Sequence, residues 1–135
     1  MAMTVSFPGG KRVDVEAGGF LVRTDQPPAG GGEGSAPEPF TLFLASLAAC
    51  AGIYVLGFCQ ARGIPTEGLR LVQEHQRDPA TKKLTSVAID IELPSGFPAQ
   101  YVAAVIHTAS HCAVKRALAD PPSFTIEAHV AVLAA

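Results

Sequence analysis

Cys50, Cys59 and Cys112 are the residues of this chain best suited to chemistry. A cysteine reacts as its thiolate; otherwise it packs as a small apolar side chain. Cys50 and Cys59 both lie in "PFTLFLASLAACAGIYVLGFCQARGIP", residues 39–65, which carries no charge before Arg62. If this run is one helix, nine residues turn Cys59 about 900° from Cys50, so it faces away. They also separate the thiols by about 13 Å along the axis, too far to bond in a straight helix. Should Cys50 have a partner in its own chain, Cys112 is the one left. It stands in "SHCAVKRAL", where Ser110 can cap a fresh helix. That would place Cys112 in a first turn, where amide dipoles favour a thiolate, and Lys115 and Arg116 add positive charge. The plainer reading makes all three thiols buried filling, Cys59 most of all.

Other candidate constellations carry less. His107 and His111 have the spacing of a two-histidine metal site, with Cys112 turned about 100° from His111. No Glu stands where a zinc-protease motif needs one, so the pair reads as polar-face histidines near a dimer seam, and no metal is expected. His75 and His129 have no acidic or nucleophilic companion that spacing can place. The stretch "QPPAGGGEGSAPE", residues 26–38, lacks the Gly-Lys-Ser/Thr ending of a phosphate loop and the spacing of a dinucleotide fingerprint. It reads as a loop.

The elements that must position the thiols follow from pattern. Glycine pairs and Pro27-Pro28 break residues 1–25 into a β-meander of "TVSF", "KRVDVEA" and "FLVRTD". A central helix is predicted over 39–63, with proline in its first turn and Gly63 and Pro65 at its end. It is apolar nearly all round, the mark of a fully buried helix. Residues 67–133 read as β-β-α-β. Strands 68–76 and 83–93 form an antiparallel hairpin, with Thr85, Val87, Ile89, Ile91 and Leu93 inward. Residues 98–120 form a helix closed by Pro121-Pro122, and "SFTIEAHVAVL" alternates as a last strand. The fold class is α+β: antiparallel sheet with helices to one side, in one domain of 135 residues. So short a chain can hardly enclose its central helix. A homodimer is therefore predicted, with Ala45, Ala48 or Ala49, and Gly52 allowing close approach near a two-fold axis.

Composition narrows the partners. Hydrophobic residues make up 48% and charged ones 16%, which excludes general disorder. A net charge of −2, with scattered Lys and Arg and no Trp, gives no nucleic-acid footprint or polybasic membrane patch. Residues 39–61 are long enough to reach across a bilayer, but Thr41, Ser46, Gly52, Gly57 and Gln60 favour a buried helix over a span. An odd, low cysteine count and the absence of a signal-peptide pattern point to the reducing cytoplasm.

Taken together, Pro39, "LFLASLAAC" ending at Cys50 and "HCAVKRAL" with Cys112 resemble the OsmC/Ohr family, whose motifs read roughly P-x-x-L-L-x-A-x-x-A-x-C and C-P-V-x-x-x-L. The resemblance spans nearly the whole chain, including the loop before the helix. It implies an intertwined homodimer with active sites at the subunit interface, and a thiol peroxidase acting on organic hydroperoxides. Cys50 would be the peroxidatic thiolate and Cys112 the resolving thiol. The reductant would be an external dithiol (a lipoylated protein in the better-known branch), with no cofactor. Two departures stand out. The family's Glu ten residues before the first cysteine is Phe40 here, and a Phe does not hold a guanidinium; the nearest acid is Glu38. The activating arginine would come from the N-terminal strands, as Arg12 or else Arg23. Ala113 replaces the proline that follows the second cysteine. Phe40 favours an alternative, a non-enzymatic dimer on the same fold that binds a small hydrophobic ligand or senses oxidants through Cys50.

Overall fold

The structure is a computed structural model and describes residues 1–132. Three antiparallel strands come first: β1 (Met3–Gly9), β2 (Arg12–Ala17) and β3 (Phe20–Thr24), in that order across the sheet. Gly18 and Gly19, at φ +56° and +83°, form the two-residue turn between Ala17 and Phe20. Both positive values suit glycine and match the twist of a tight hairpin. The long helix α1 (Pro39–Ala61) follows, then the antiparallel hairpin of β4 (Arg70–Arg77) and β5 (Leu84–Glu92). Two short helices complete the fold, α2 (Val102–Ser110) and α3 (Ala113–Ala119). The α+β architecture is as predicted.

The loop before α1 is built around one carboxylate. Asp25 is 1% exposed and accepts hydrogen bonds from the amides of Gln26 (2.8 Å), Glu33 (3.3 Å) and Ser35 (3.0 Å), and from the Ser35 hydroxyl (2.6 Å). The amide of Asp25 donates to Pro37 O at 3.2 Å. Donors aimed at a carboxylate stabilise its charged form, and Ser35 leads them in lowering Asp25 from an ordinary 3.8 to about 2. Gly32 passes so close that a Cβ there would lie 2.0 Å from Gln26 O.

α1 begins at Pro39, whose missing amide costs nothing in a first turn. It ends in a glycine cap: Gly63 sits at φ +63°, Ile64 N–H donates to Cys59 O (2.9 Å) and Gly63 N–H to Gln60 O (3.3 Å). Leu44, Leu47, Ala51, Val55, Phe58 and Cys59 form its buried stripe. Val55 and Val105 of α2 are at most 1% exposed and form the core with Phe58 and Cys59, flanked by Leu71 and Ile91 of the hairpin. Burying such a valine contributes about 1.5–3 kcal/mol.

Three expectations need correction. First, α1 is not buried all round: Ala45, Ala49, Ile53 and Gly57, four residues apart, lie exposed on the opposite face. The helix is long and apolar enough to cross a membrane, but one chain of this size covers only one of its sides. Second, residues 98–120 are not one helix. A 3₁₀ turn at Ala99–Tyr101 leads into α2, and the chain breaks at His111–Cys112. There the Ser110 hydroxyl (2.6 Å) and His111 Nδ1–H (2.8 Å) both donate to His107 O, and such side-chain bonds compete with the helix ladder. Third, the strand expected over 123–133 is absent through residue 132; Leu133 lies outside the described residues. The alternation is present, but Phe124 (84%) and Ile126 (95%) stand exposed, and the segment pairs with none of the edge strands β1, β3, β4 and β5.

The Asp25 clasp gives stability a defined pH dependence. Its folded pKa lies below its unfolded value, so its contribution is present above pH 4 and fades as pH falls toward 2. Thermal melts should show Asp25→Asn well below wild type at pH 7, with the gap narrowing from pH 4 to pH 2. Gly32→Ala should destabilise by about 2 kcal/mol through its clash with backbone.

Candidate functional site

Cys50 occupies the middle of α1, half-buried, on the border between the buried stripe and the open face. Its surroundings are made by α3. Cys112 is the N-cap of that helix, extended at φ −60° and ψ 143°, and its Sγ accepts the Lys115 amide at 3.3 Å. The sequence put Cys112 inside a first turn; the fold puts it just before one, so the next amides point past it. The Val114 N–H is the largest influence lowering the Cys50 pKa; burial opposes it, and the Cys112 side chain, the Ala113 N–H and the Arg116 charge add to the lowering. Backbone donors and a cation stabilise a thiolate as they do any anion. Cys50 and Cys112 are both free thiols, and Cys112 is 3% exposed.

One turn further along, a second contact joins the same two helices. Tyr54 lies four residues after Cys50, and Arg116 four after Cys112. Arg116 Nη2–H donates to the Tyr54 hydroxyl at 3.2 Å. The two i, i+4 pairs make parallel rungs between α1 and α3, one of thiols and one of phenol and guanidinium. Sequence reasoning noted the charge of Arg116 but missed Tyr54. The shared four-residue step after each cysteine was the available signal.

Cys59 differs in every respect. It is 0% exposed, and burial pushes its thiol up, with Arg62 partly countering. The guanidinium of Arg62 lies 3.7 Å over the Phe58 ring. Cys59 is core filling, as its place on the helix implied.

The other residues implied by the family resemblance lie elsewhere within one chain. Arg12 opens β2 and donates to Gly9 O and Pro8 O, each at 3.4 Å, beside the Asp25 loop. Arg23 is on β3, paired in register with Asp14. Glu38 is the α1 N-cap and makes no side-chain cap bond; its twelve residues from Cys50 correspond to about 18 Å of helix. Within the single chain, none of the three is among the groups that act on Cys50. Phe40 does hold a guanidinium, contrary to expectation: Arg77 of β4 lies 4.1 Å over its ring, a cation–π contact rather than an ion pair. The His107 and His111 rings lie tilted against each other, centroids 4.3 Å apart, with His111 Nδ1 occupied by His107 O; the described residues contain no cluster of three or more metal-ligating side chains.

Beside Cys112 lies a cavity of about 330 Å³, walled by Leu47 and Ala51 of α1, Val87 and Ile89 of β5, and Ile106 and Leu118, with Ser110 and Lys115 as polar lining. An apolar group can be held there with its polar end near Cys112. The arrangement favours a thiolate at Cys50, with a second free thiol among the groups that act on it. Iodoacetamide should alkylate Cys50 with a pH midpoint below that of an unfolded cysteine, whereas Cys59 should react only after denaturation. Peptide mapping by mass at a series of pH values checks both.

No curated protein matches this sequence. Residues 32–127 match the OsmC-like protein family. Among solved structures, one from Psychrobacter arcticus 273-4, described by osmotic stress induction and detoxification response, superimposes with TM-score 0.75 at 20% identity, covering 87% of each chain. An OsmC-like protein from Mycoplasma pneumoniae gives 0.70 at 15%, over 89% of this chain and 87% of that one. The organic hydroperoxide resistance protein OsmC from Legionella pneumophila gives 0.57 at 20%, over 87% of each. Identities this low speak to fold alone; the family match spans both thiols and more than half the sequence, and the chain belongs to the OsmC-like protein family.

Proposed function

We propose that the protein is a thiol-dependent peroxidase that reduces organic hydroperoxides to alcohols. The observation that carries this reading is a Cys50 thiol lowered by the amides at the start of α3, with Cys112 as its immediate neighbour. The Cys50 thiolate attacks the terminal oxygen of the hydroperoxide; the O–O bond breaks, and the alkoxide takes a proton and leaves as alcohol. Cys50 is then a sulfenic acid. The Cys112 thiol attacks the Cys50 sulfur and displaces its hydroxyl, the thiol's own proton leaving with that hydroxyl as water, and a Cys50–Cys112 disulfide closes. An external dithiol reduces that bond by exchange, becoming a disulfide itself. Only thiols and the hydroperoxide enter the balance. The apolar cavity at Cys112 suits a substrate with a hydrocarbon body.

The reading includes a cytoplasmic homodimer. Its support is the open face of α1 and the exposed alternating segment after Pro122, two apolar surfaces that a second copy would cover. A lipoylated protein is the reductant we would try first. A second reading is favoured by Phe40, whose ring engages Arg77 where the family's acid would hold an activating arginine. It makes the protein a non-enzymatic dimer that binds a small hydrophobic ligand or registers oxidants at Cys50.

Treating the reduced protein with one equivalent of cumene hydroperoxide should remove two hydrogens within seconds and link Cys50 to Cys112, as intact mass and peptide mapping would read. Cys50→Ser should abolish consumption of the hydroperoxide. Cys112→Ser should leave Cys50 trapped as sulfenic acid. Oxidation no faster at Cys50 than at Cys59 would overturn the enzyme in favour of the binding reading.

A further inference from the structure

The cations around α1 are almost all engaged away from Cys50. Arg62 lies over Phe58 at the Cys59 end, and Arg77 lies over Phe40 at the first turn. Arg70 pairs with Glu92 across the hairpin, and Arg12 is bonded to the carbonyls of its own turn. From the elements packed beside the thiol, α2 and the turn after it present His107 and His111, whose rings pack tilted against each other. α3 presents Lys115, which lines the apolar cavity, and Arg116. Arg116 alone among them is held one turn from both thiols, on the phenol of Tyr54. No carboxylate pairs with it among the described residues.

We propose that Arg116, anchored on Tyr54, is a positioning residue that supplies the fixed positive charge beside the Cys50 thiolate and adds to the α3 amides, taking the part that the family resemblance assigns to an N-terminal arginine and its carboxylate. The proposal deepens the peroxidase reading and rests on it for the reaction, although the thiolate can be measured without any hydroperoxide. Geometry favours this residue. Arg116 and Cys112 share a face of α3, Tyr54 and Cys50 share a face of α1, and the Arg116–Tyr54 hydrogen bond joins the two faces. A phenol hydroxyl orients a guanidinium without neutralising it, so Arg116 keeps its full charge toward the sulfur. A carboxylate anchor would cancel part of that charge and would itself titrate in acid. The device therefore has a distinct signature: no carboxylate ionisation enters the acid limb of Cys50 reactivity. Arg116 is also exposed, so salt should weaken its influence.

The test is the pH dependence of Cys50 alkylation by iodoacetamide in the reduced full-length protein, mapped by mass, with melting temperatures recorded in parallel. Arg116→Gln should raise the midpoint by about half to one pH unit, leaving roughly threefold to tenfold less thiolate below it. Arg116→Lys should recover most of the shift. Tyr54→Phe, which preserves the ring and its packing, should move the midpoint part of the way, and serves if Arg116→Gln does not fold. In the wild type, 1 M salt should raise the midpoint, and it should do so less in Arg116→Gln. A midpoint unchanged in Arg116→Gln, or Arg116→Lys no closer to wild type than Arg116→Gln, overturns the proposal. So does a shift produced by Arg12→Gln in its place. If the midpoints move as stated but wild-type protein leaves cumene hydroperoxide intact above its own midpoint, the Arg116 assignment stands and the peroxidase reading falls.

Discussion

The turn at His111–Cys112 is the constraint on which the site depends. Had the chain continued helically through these residues, Val114 and Ala113 would have spent their amides on carbonyls four residues back. The break leaves them free at the start of α3, and the packing of α3 on α1 aims them at Cys50. It also brings Arg116 over Tyr54 and opens the cavity beside Cys112. Two side-chain bonds to His107 O and a sulfur cap on the Lys115 amide hold the turn without the proline that the family motif places after this cysteine.

Behind that turn stands α1, whose two faces do different work. One is packed against α2 and the hairpin, and its burial fixes where every side chain of the helix points. Gln73 Nε2 of β4 donates to Leu44 O at 2.9 Å, tying hairpin to helix. Cys59 belongs to this packed face, where desolvation disfavours its charged form; Cys50 is about half a turn round, where amides can reach it. The difference in reactivity between two cysteines of one helix is thus a matter of azimuth. The Asp25 clasp sets the other boundary, turning a glycine-rich stretch into an ordered entry to Pro39.

The failures of the sequence reading share a cause. Residues 98–120 have helical periodicity throughout, and periodicity does not register a competing bond from Ser110 or His111 to a carbonyl. The alternation of Phe124, Ile126, Val130 and Val132 is a genuine strand pattern, yet a strand also needs a partner, and the segment is not brought against any sheet edge. Phe40 was judged by charge alone, whereas its ring offers Arg77 a π face.

What the sequence by itself determined is local in origin: helix and strand periods, glycine turns, the glycine-capped end of α1, and the opposed directions of Cys50 and Cys59. Those properties depend on residues a few positions apart. The motifs around Cys50 and Cys112 were enough to bring out the family. Only the tertiary structure decided which amides face the thiolate, which cation stands beside it and which face of α1 stays open. These depend on side chains sixty or so residues apart, whose meeting is set by packing and by one helix break that no period encodes.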